Sequence, residues 1–218
     1  ALLGAHLNTI NPDLLGAVLS EGDGPKLKYV LHRARELAAE GKKVLIWSSF
    51  RQNVEYIADR LSDLGAVYIH GGVDAGDEDE DGTREAKIKA FHNNEHVKIL
   101  VANPAAASEG ISLHTVCHHA IYLDRTFNAA HYLQSEDRIH RFGLKDGQET
   151  IIEIVECEGT VDETVVERLD YKINKMAEVL KDSSLGKPPV AVDPEDIEDY
   201  DDYSIGMRDD DIRALLDG

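Results

Sequence analysis

The sequence predicts an α/β fold, a three-layer sandwich in which a mostly parallel sheet carries helices on both faces. Two patterns indicate this fold. Short runs such as residues 97–102 are continuously apolar, which is typical of strands buried on both faces. Segments with apolar residues at helical spacing alternate with these runs along the chain. Hydrophobic residues make up 42% of the 218 residues, which is enough for a packed core.

The first predicted helix begins at Pro25, because proline is favoured in a first helical turn, and it ends before Gly41. A short apolar strand follows at residues 44–48. The second helix ends at Gly65, and its apolar face is formed by Val54, Ile57, Leu61 and Leu64.

The remaining elements are predicted by the same spacing rules. They are a strand at 67–70, a helix at 83–93, strands at 97–102 and 120–123, a helix at 128–140, a strand at 150–155 and an amphipathic helix at 160–180. Ligands of such sheets bind at the carboxyl ends of the strands, so we expect the functional site there.

The net charge of −19 is unevenly distributed along the chain. Residues 182–218 contain twelve acidic and three basic residues, and a second acidic cluster lies at residues 74–81. Without these two segments the net charge is about −4, which is ordinary for a globular fold. The acidic balance argues against a simple basic nucleic-acid binder. We expect a lead-in at 1–24, a folded domain at 25–181 and an acidic, flexible tail at 182–218.

Cysteine usage and hydropathy predict the compartment. Cys117 and Cys157 are too few for a disulfide scaffold, which favours a reducing compartment. No apolar run approaches a membrane span of about 18 residues, and no signal peptide opens the chain. We expect a protein that is not secreted, cytoplasmic in a bacterium or nuclear in a eukaryote. Because Ala1 replaces an initiator Met, we also expect a fragment of a longer chain.

Residues 134–143, QSEDRIHRFG, carry the most informative motif. Gln134, Arg138 and Arg141 are spaced so that they share one helical face. Two guanidinium groups one turn apart suit a polyphosphate, whose charge is spread over its oxygens. Taken alone, the segment also fits a solvated surface helix of Arg–Glu pairs.

Four further segments accompany this motif: residues 43–50 (KVLIWSSF), 99–113 (ILVANPAAASEGISL), 119–128 (HAIYLDRTFN) and 160–163 (TVDE). In this order they resemble the second RecA-like lobe of superfamily-two helicases, most closely the Swi/Snf-type DNA translocases. The resemblance covers about residues 26–181.

The resemblance implies roles for named residues. Arg138 and Arg141 would be arginine fingers that reach ATP bound on the first lobe, and Gln134 would orient the attacking water or couple the lobes. The residues that would lie beside the nucleotide are Glu109, Gly110, Ser112 and Asp137. The residues that would contact one nucleic-acid strand are Ser48, Ser49, Phe50, Arg51, His70, Gly71 and Phe127, the last of which also fits loop packing.

The chain departs from the family pattern at several positions. Ser112 replaces the Asn of G-x-N-L, Pro104 replaces a Thr, Phe127 replaces a Trp and Leu144 replaces a Gln. No G-x-x-x-x-G-K-[ST] and no D-E-x-H follows any strand. We therefore expect ATP with Mg to be bound mainly by a missing first lobe, and this chain to be inactive alone as an ATPase.

Other functions and sites remain open on the sequence. A strand-separating RNA or DNA helicase lobe is one alternative, and a non-catalytic RecA-like interaction module is another. The acidic tail could recruit a protein partner or mimic DNA. Three metal-like patterns, at residues 77–82, 92–96 and 114–119, lack the ligand geometry of true sites, so no metal site is predicted.

Overall fold

The computed structural model describes residues 22–106, 112–139 and 149–180. Its helices are α1 (Pro25–Ala39), α2 (Arg51–Arg60), α3 (Arg84–Asn93), α4 (Ala129–Asp137) and α5 (Val161–Leu180), with a 3₁₀ turn at Ser62–Leu64. Its strands are β1 (Val44–Trp47), β2 (Val67–Ile69), β3 (Ile99–Ala102), β4 (His119–Tyr122) and β5 (Ile151–Ile154).

The five strands form one sheet in the order β2-β3-β1-β4-β5, and every pairing is parallel. β1 is the central strand, since Val44 is in register with Ile99 of β3 and with His119 of β4. The parallel pairing brings all strand carboxyl ends to one edge of the sheet. The predicted α/β class is confirmed.

Two apolar cores lie on opposite faces of this sheet. The core under α1 and α2 takes Val44 and Ile46 from β1, whereas the core under α3, α4 and α5 takes Leu45 and Trp47. This alternation follows from the two-residue period of a strand. The arrangement is therefore the predicted sandwich of helices, sheet and helices.

Most predicted boundaries agree with the structure to within three residues. The second helix is predicted to run to Leu64, but α2 ends at Arg60 and a 3₁₀ turn leads to Gly65, whose φ of 66° is left-handed. Asn128 caps α4, because its Oδ1 accepts hydrogen bonds from the N–H groups of Ala130 and His131.

None of the helices in the described ranges is long and apolar enough to cross a membrane. The predicted acidic tail and most of the predicted lead-in lie outside the described residues.

Candidate nucleic-acid and nucleotide site

A row of polar residues joins the carboxyl ends of three neighbouring strands. Ser48 and Ser49 follow β1, Asn103 follows β3 and Asp124 closely follows β4. Asp124 Oδ2 accepts a 2.6 Å bond from the Ser48 hydroxyl, and Oδ1 accepts another of 2.6 Å from the Ser49 N–H. The Asn103 amide donates to the Ser49 carbonyl at 2.9 Å. The loop after β1 is thus held from both sides.

Asp124 is a partly buried carboxylic acid at this edge. Desolvation raises its pKa, and the hydrogen bonds from Ser48 and Ser49 partly oppose that rise. Its two oxygens hold a side chain and a main-chain group of the same loop, so its contribution is to position that loop.

The loop leads directly into α2, where two predicted contact residues are exposed. The Phe50 ring is 47% exposed, and Arg51 is the first residue of α2. The Phe50 N–H donates to the Ser48 hydroxyl at 3.3 Å. Ser48 itself is fully buried, so in this structure it supports the loop and presents no surface of its own.

His70, which follows β2, is linked to the same surface through Glu55 of α2, and Gly71 beside it is exposed. The Oε1 atom of Glu55 lies 3.1 Å from Nε of Arg51 and 3.0 Å from Nε2 of His70. The His70 ring is buried, and its Nδ1 accepts the N–H of Gly72 at 3.0 Å. We call the group of Arg51, Glu55 and His70 the Glu55 cluster.

Gly72 allows the Arg51 side chain to lie against the turn after His70. A Cβ atom at Gly72 would lie 2.4 Å from Nη1 of Arg51, closer than real Cβ contacts. The absence of a side chain at this position therefore sets where the guanidinium rests.

Phe127 differs from the other predicted nucleic-acid residues because its ring is only 1% exposed. Lys172 of α5 donates to the Phe127 carbonyl at 2.9 Å, and its ammonium lies 5.8 Å from the ring centre. Of the two roles expected for Phe127, loop packing fits this burial and DNA contact does not.

Ser112 lies close to the end of α4, where the motif at residues 134–143 begins. Both segments are predicted on the nucleotide side. The Leu113 N–H donates to the Arg138 carbonyl at 2.9 Å, which joins the segment after Ser112 to the end of α4. Ser112 Oγ is 2.8 Å from Nδ1 of His114. Arg138 is only 7% exposed, so it is not part of a solvated surface face.

The α4 helix is anchored to the sheet on the side of Ser135. Its hydroxyl is 2.7 Å from the hydroxyl of Tyr122 in β4. Gln134 is the next residue toward the N-terminus, and its Oε1 atom is buried without a hydrogen-bond partner among the described residues. An orphaned amide oxygen is costly, so this position suits a residue that completes its contacts with another group.

Three predicted site residues, Glu109, Gly110 and Arg141, lie outside the described residues. Asp137, the last residue of α4, is partly buried.

Two of the metal-like patterns contain side chains that are engaged within the fold. The acidic loop is held by Lys89 of α3, which contacts Asp79 at 2.6 Å and Glu78 at 3.1 Å. Burial raises the pKa of Cys117 to about 12, so its sulfur is a thiol and a poor metal ligand. In the part of the chain that the structure describes, no group of three or more His, Cys, Asp or Glu side chains is arranged to hold a metal ion.

Sequence reasoning missed Glu55, Asn103 and Asp124 as members of the site. Asn103 and Asp124 carried a usable signal, because each polar residue comes at the end of a buried apolar strand. The sequence contains no such indication for Glu55, since one carboxylate on an amphipathic helix is typical of a solvated face.

Comparisons with known proteins identify the family and the fold of the chain. The model of the family "Helicase conserved C-terminal domain" matches residues 26–143. The ATP-dependent helicase fft2 of Schizosaccharomyces pombe is 27% identical over 152 residues, which are 69% of this chain and 11% of that protein.

Two solved structures share the fold. The C-terminal part of the Fun30 ATPase domain is 21% identical, covers 80% of this chain and 48% of its own, and has a TM-score of 0.57. The Sulfolobus solfataricus SWI2/SNF2 ATPase core in complex with dsDNA is 23% identical, covers 78% of this chain and 35% of its own, and has a TM-score of 0.52.

The all-parallel sheet with helices on both faces is thus a RecA-like lobe of the kind found in SNF2 ATPases. The chain belongs to the helicase conserved C-terminal domain family, and its relatives are Swi/Snf-type ATP-dependent helicases. It spans between 11% and 13% of the length of three of these relatives, and 19% of another.

Proposed function

We propose that this chain is the second motor lobe of an ATP-dependent double-stranded DNA translocase. The observation that carries the proposal is the position of the predicted nucleic-acid residues within a matched helicase domain. Five of them, Ser48, Ser49, Phe50, Arg51 and His70, gather at the carboxyl edge of the sheet around the start of α2 and the end of β2.

On the nucleic-acid side, Phe50 and Arg51 supply the exposed part of the track. Arg51 offers a positive charge to a backbone phosphate, and the loop that carries it is preorganised by Asp124 and Asn103. The Sulfolobus solfataricus SWI2/SNF2 core, which shares the fold, was solved with dsDNA. Duplex DNA is therefore the substrate that we favour over RNA.

On the nucleotide side, the motif at residues 134–143 and the segment at Ser112 would face ATP with Mg, which would be bound mainly on the companion lobe. The residues fit such a role in one respect, since the buried Oε1 of Gln134 has no hydrogen-bond partner among the described residues and could accept from an additional donor. ATP would supply the phosphoryl group. Arg138 and Arg141 would stabilise the charge on its oxygens, and Gln134 would orient water.

The proposal includes a companion lobe carrying the phosphate-binding loop. The eukaryotic origin of fft2 favours a nuclear location. The alternative of a non-catalytic interaction module is less well supported, because a scaffold needs neither the sequence pair Arg138 and Arg141 nor an amide oxygen at Gln134 that is buried without a partner among the described residues. A protein partner for the acidic tail is a further part of the proposal that has sequence support only.

The test is DNA-stimulated ATP hydrolysis by the full-length protein and by its Arg141→Ala variant. We expect the variant to lose at least about 100-fold in turnover while folding normally, since one charge stabilising the transition state is removed. Lys175→Ala is the control, because this lysine is exposed and pairs with Glu178 in the same helix. Turnover that survives Arg141→Ala would reject the finger role. Robust turnover by the 218-residue chain alone would reject the proposal that this chain holds only part of the ATPase site.

A further inference from the structure

The predicted DNA track contains a carboxylate where a phosphate would have to bind. Glu55 accepts a hydrogen bond from Nε of Arg51 at 3.1 Å, and its side chain is 45% exposed. Arg51 is the charged side chain among the predicted nucleic-acid residues of α2. An anionic backbone approaching Arg51 thus meets a group of its own charge already bound there.

On its buried side, Glu55 contacts a second donor, the ring of His70. Nδ1 of His70 accepts the N–H of Gly72, so the proton of the neutral ring is on Nε2, which lies 3.0 Å from Oε1 of Glu55. The His70 side chain is only 3% exposed, and its ring stacks on Tyr68 at 5.4 Å. The inner partner of Glu55 is therefore fixed, whereas its outer partner, Arg51, is on the surface.

A carboxylate and a phosphate are alternative partners for one guanidinium, because both are oxyanions that accept charge-assisted hydrogen bonds. Taking the proposed function as its basis, we propose that Glu55 competes intramolecularly with the DNA backbone for Arg51. A phosphate displaces the carboxylate from Arg51, and His70 retains it. Glu55 thereby lowers the affinity of the lobe for DNA and favours release of the phosphate from Arg51.

The charge state of Glu55 agrees with this role. The hydrogen bond from Arg51 is the largest influence on the Glu55 carboxyl and lowers its pKa, so the group is anionic at neutral pH. Removing its charge without its shape should therefore weaken its hydrogen bond with Arg51 and favour a phosphate at that position.

The experiment measures binding of a fluorescein-labelled 20-base-pair DNA duplex by the 218-residue chain at several salt concentrations. In Glu55→Gln the amide oxygen still accepts from both donors, so the local fold is kept. We expect about threefold to tenfold tighter binding at low salt, with the gain shrinking as salt rises. The slope of affinity against salt should steepen by up to about one ion if Arg51 gains a phosphate.

Asp59→Asn is the matched control, because Asp59 is an exposed acid one turn further along the same helix. It removes the same charge and should tighten binding less than Glu55→Gln. In an Arg51→Ala background, Glu55→Gln should tighten binding no more than Asp59→Asn does, since the guanidinium for which Glu55 and phosphate compete has been removed.

The outcomes separate the two proposals. Absence of DNA binding by the wild-type chain at low salt would overturn the proposed function and the Glu55 inference with it. Binding that Arg51→Ala weakens but Glu55→Gln leaves unchanged would overturn the inference alone. Equal gains from Glu55→Gln and Asp59→Asn would also overturn it, because they would reflect net charge only.

Discussion

The Ser48 hydroxyl donates a 2.6 Å hydrogen bond to Asp124, and this contact ties the end of β1 to the end of β4. The same carboxyl accepts the N–H of Ser49, so two successive residues of the loop are held by one side chain. Everything that the loop presents, from Phe50 to the start of α2, depends on this attachment.

Asp124→Asn should change how stability depends on pH. Folding raises the pKa of Asp124, chiefly by desolvation, so the native state binds its proton more readily than the unfolded state. The stability from this group is present at low pH and is lost as pH rises through the raised pKa. Wild type should therefore lose stability relative to Asp124→Asn as the pH rises above about 4, the ordinary carboxyl range, and through the raised pKa of Asp124.

Urea unfolding of both proteins at pH 4.5, 6 and 8 checks this prediction. Only the difference between the two proteins matters, since the other carboxylates titrate equally in both. A difference that stays constant, or that grows in favour of wild type as pH rises, would contradict the raised pKa.

Gly65→Ala should be strongly destabilising. Gly65 has a φ of 66°, and a Cβ there would lie 2.4 Å from the carbonyl oxygen of His96. Both the left-handed backbone and a clash with main chain oppose a side chain, so we expect a loss of more than about 2 kcal/mol. Chemical denaturation of the variant measures it.

Gly41→Ala is the control for this prediction, because Gly41 also has a positive φ but no atom lies within 4 Å of an added Cβ. It should cost about 1 kcal/mol, the backbone penalty alone. Equal losses in the two variants would show that the approach of His96 is unimportant.

Gly72→Ala should weaken DNA binding without unfolding the protein. The added methyl group would meet only the flexible end of Arg51, which moves away at small cost. Gly24→Ala, where an added Cβ meets no atom within 4 Å, serves as control. We expect a loss of about threefold in duplex binding and an unchanged midpoint of thermal unfolding. A large drop in that midpoint would mean that Arg51 is rigidly held.

Phe127→Ala and Phe50→Ala should separate packing from binding. The buried Phe127 ring should cost about 3–5 kcal/mol on removal. The exposed Phe50 ring should cost less than about 0.5 kcal/mol, and its loss should instead weaken duplex binding. Denaturant titrations and fluorescence anisotropy measure the two effects, and a stable Phe127→Ala protein with reduced DNA affinity would reverse the assignment.

The strands and helices were largely predictable because burial on both faces leaves continuous apolar runs, as at β1 and β3. Their spatial order was not, because the sequence does not state that β1 lies between β3 and β4. The ends of elements also escaped prediction where a local hydrogen bond decides them, as in the 3₁₀ turn before Gly65.

The candidate site was predictable in its residue types and only partly in its contacts. Ser49 and Arg51 lie near the carboxyl end of β1, the edge of the sheet where the sequence predicts a site. The pairing of Glu55 with His70, by contrast, joins two segments whose spacing in the sequence shows no pattern. The exposure of Phe50 fits its predicted role as a contact residue, whereas the sequence left two roles open for Phe127, since an aromatic side chain in a loop suits either environment.

The position of β1 at the centre of the sheet has a consequence for how the chain folds as it is made. Both neighbours of β1 come later in the sequence, and its partner in β3 follows β2 and the whole acidic loop. On the ribosome, an apolar strand therefore emerges long before anything can pair with it. Non-local pairing of this kind slows folding and leaves an apolar, aggregation-prone strand exposed until its partners are made. The amphipathic helices α1 and α2, which flank β1, are available to shield one face of it early.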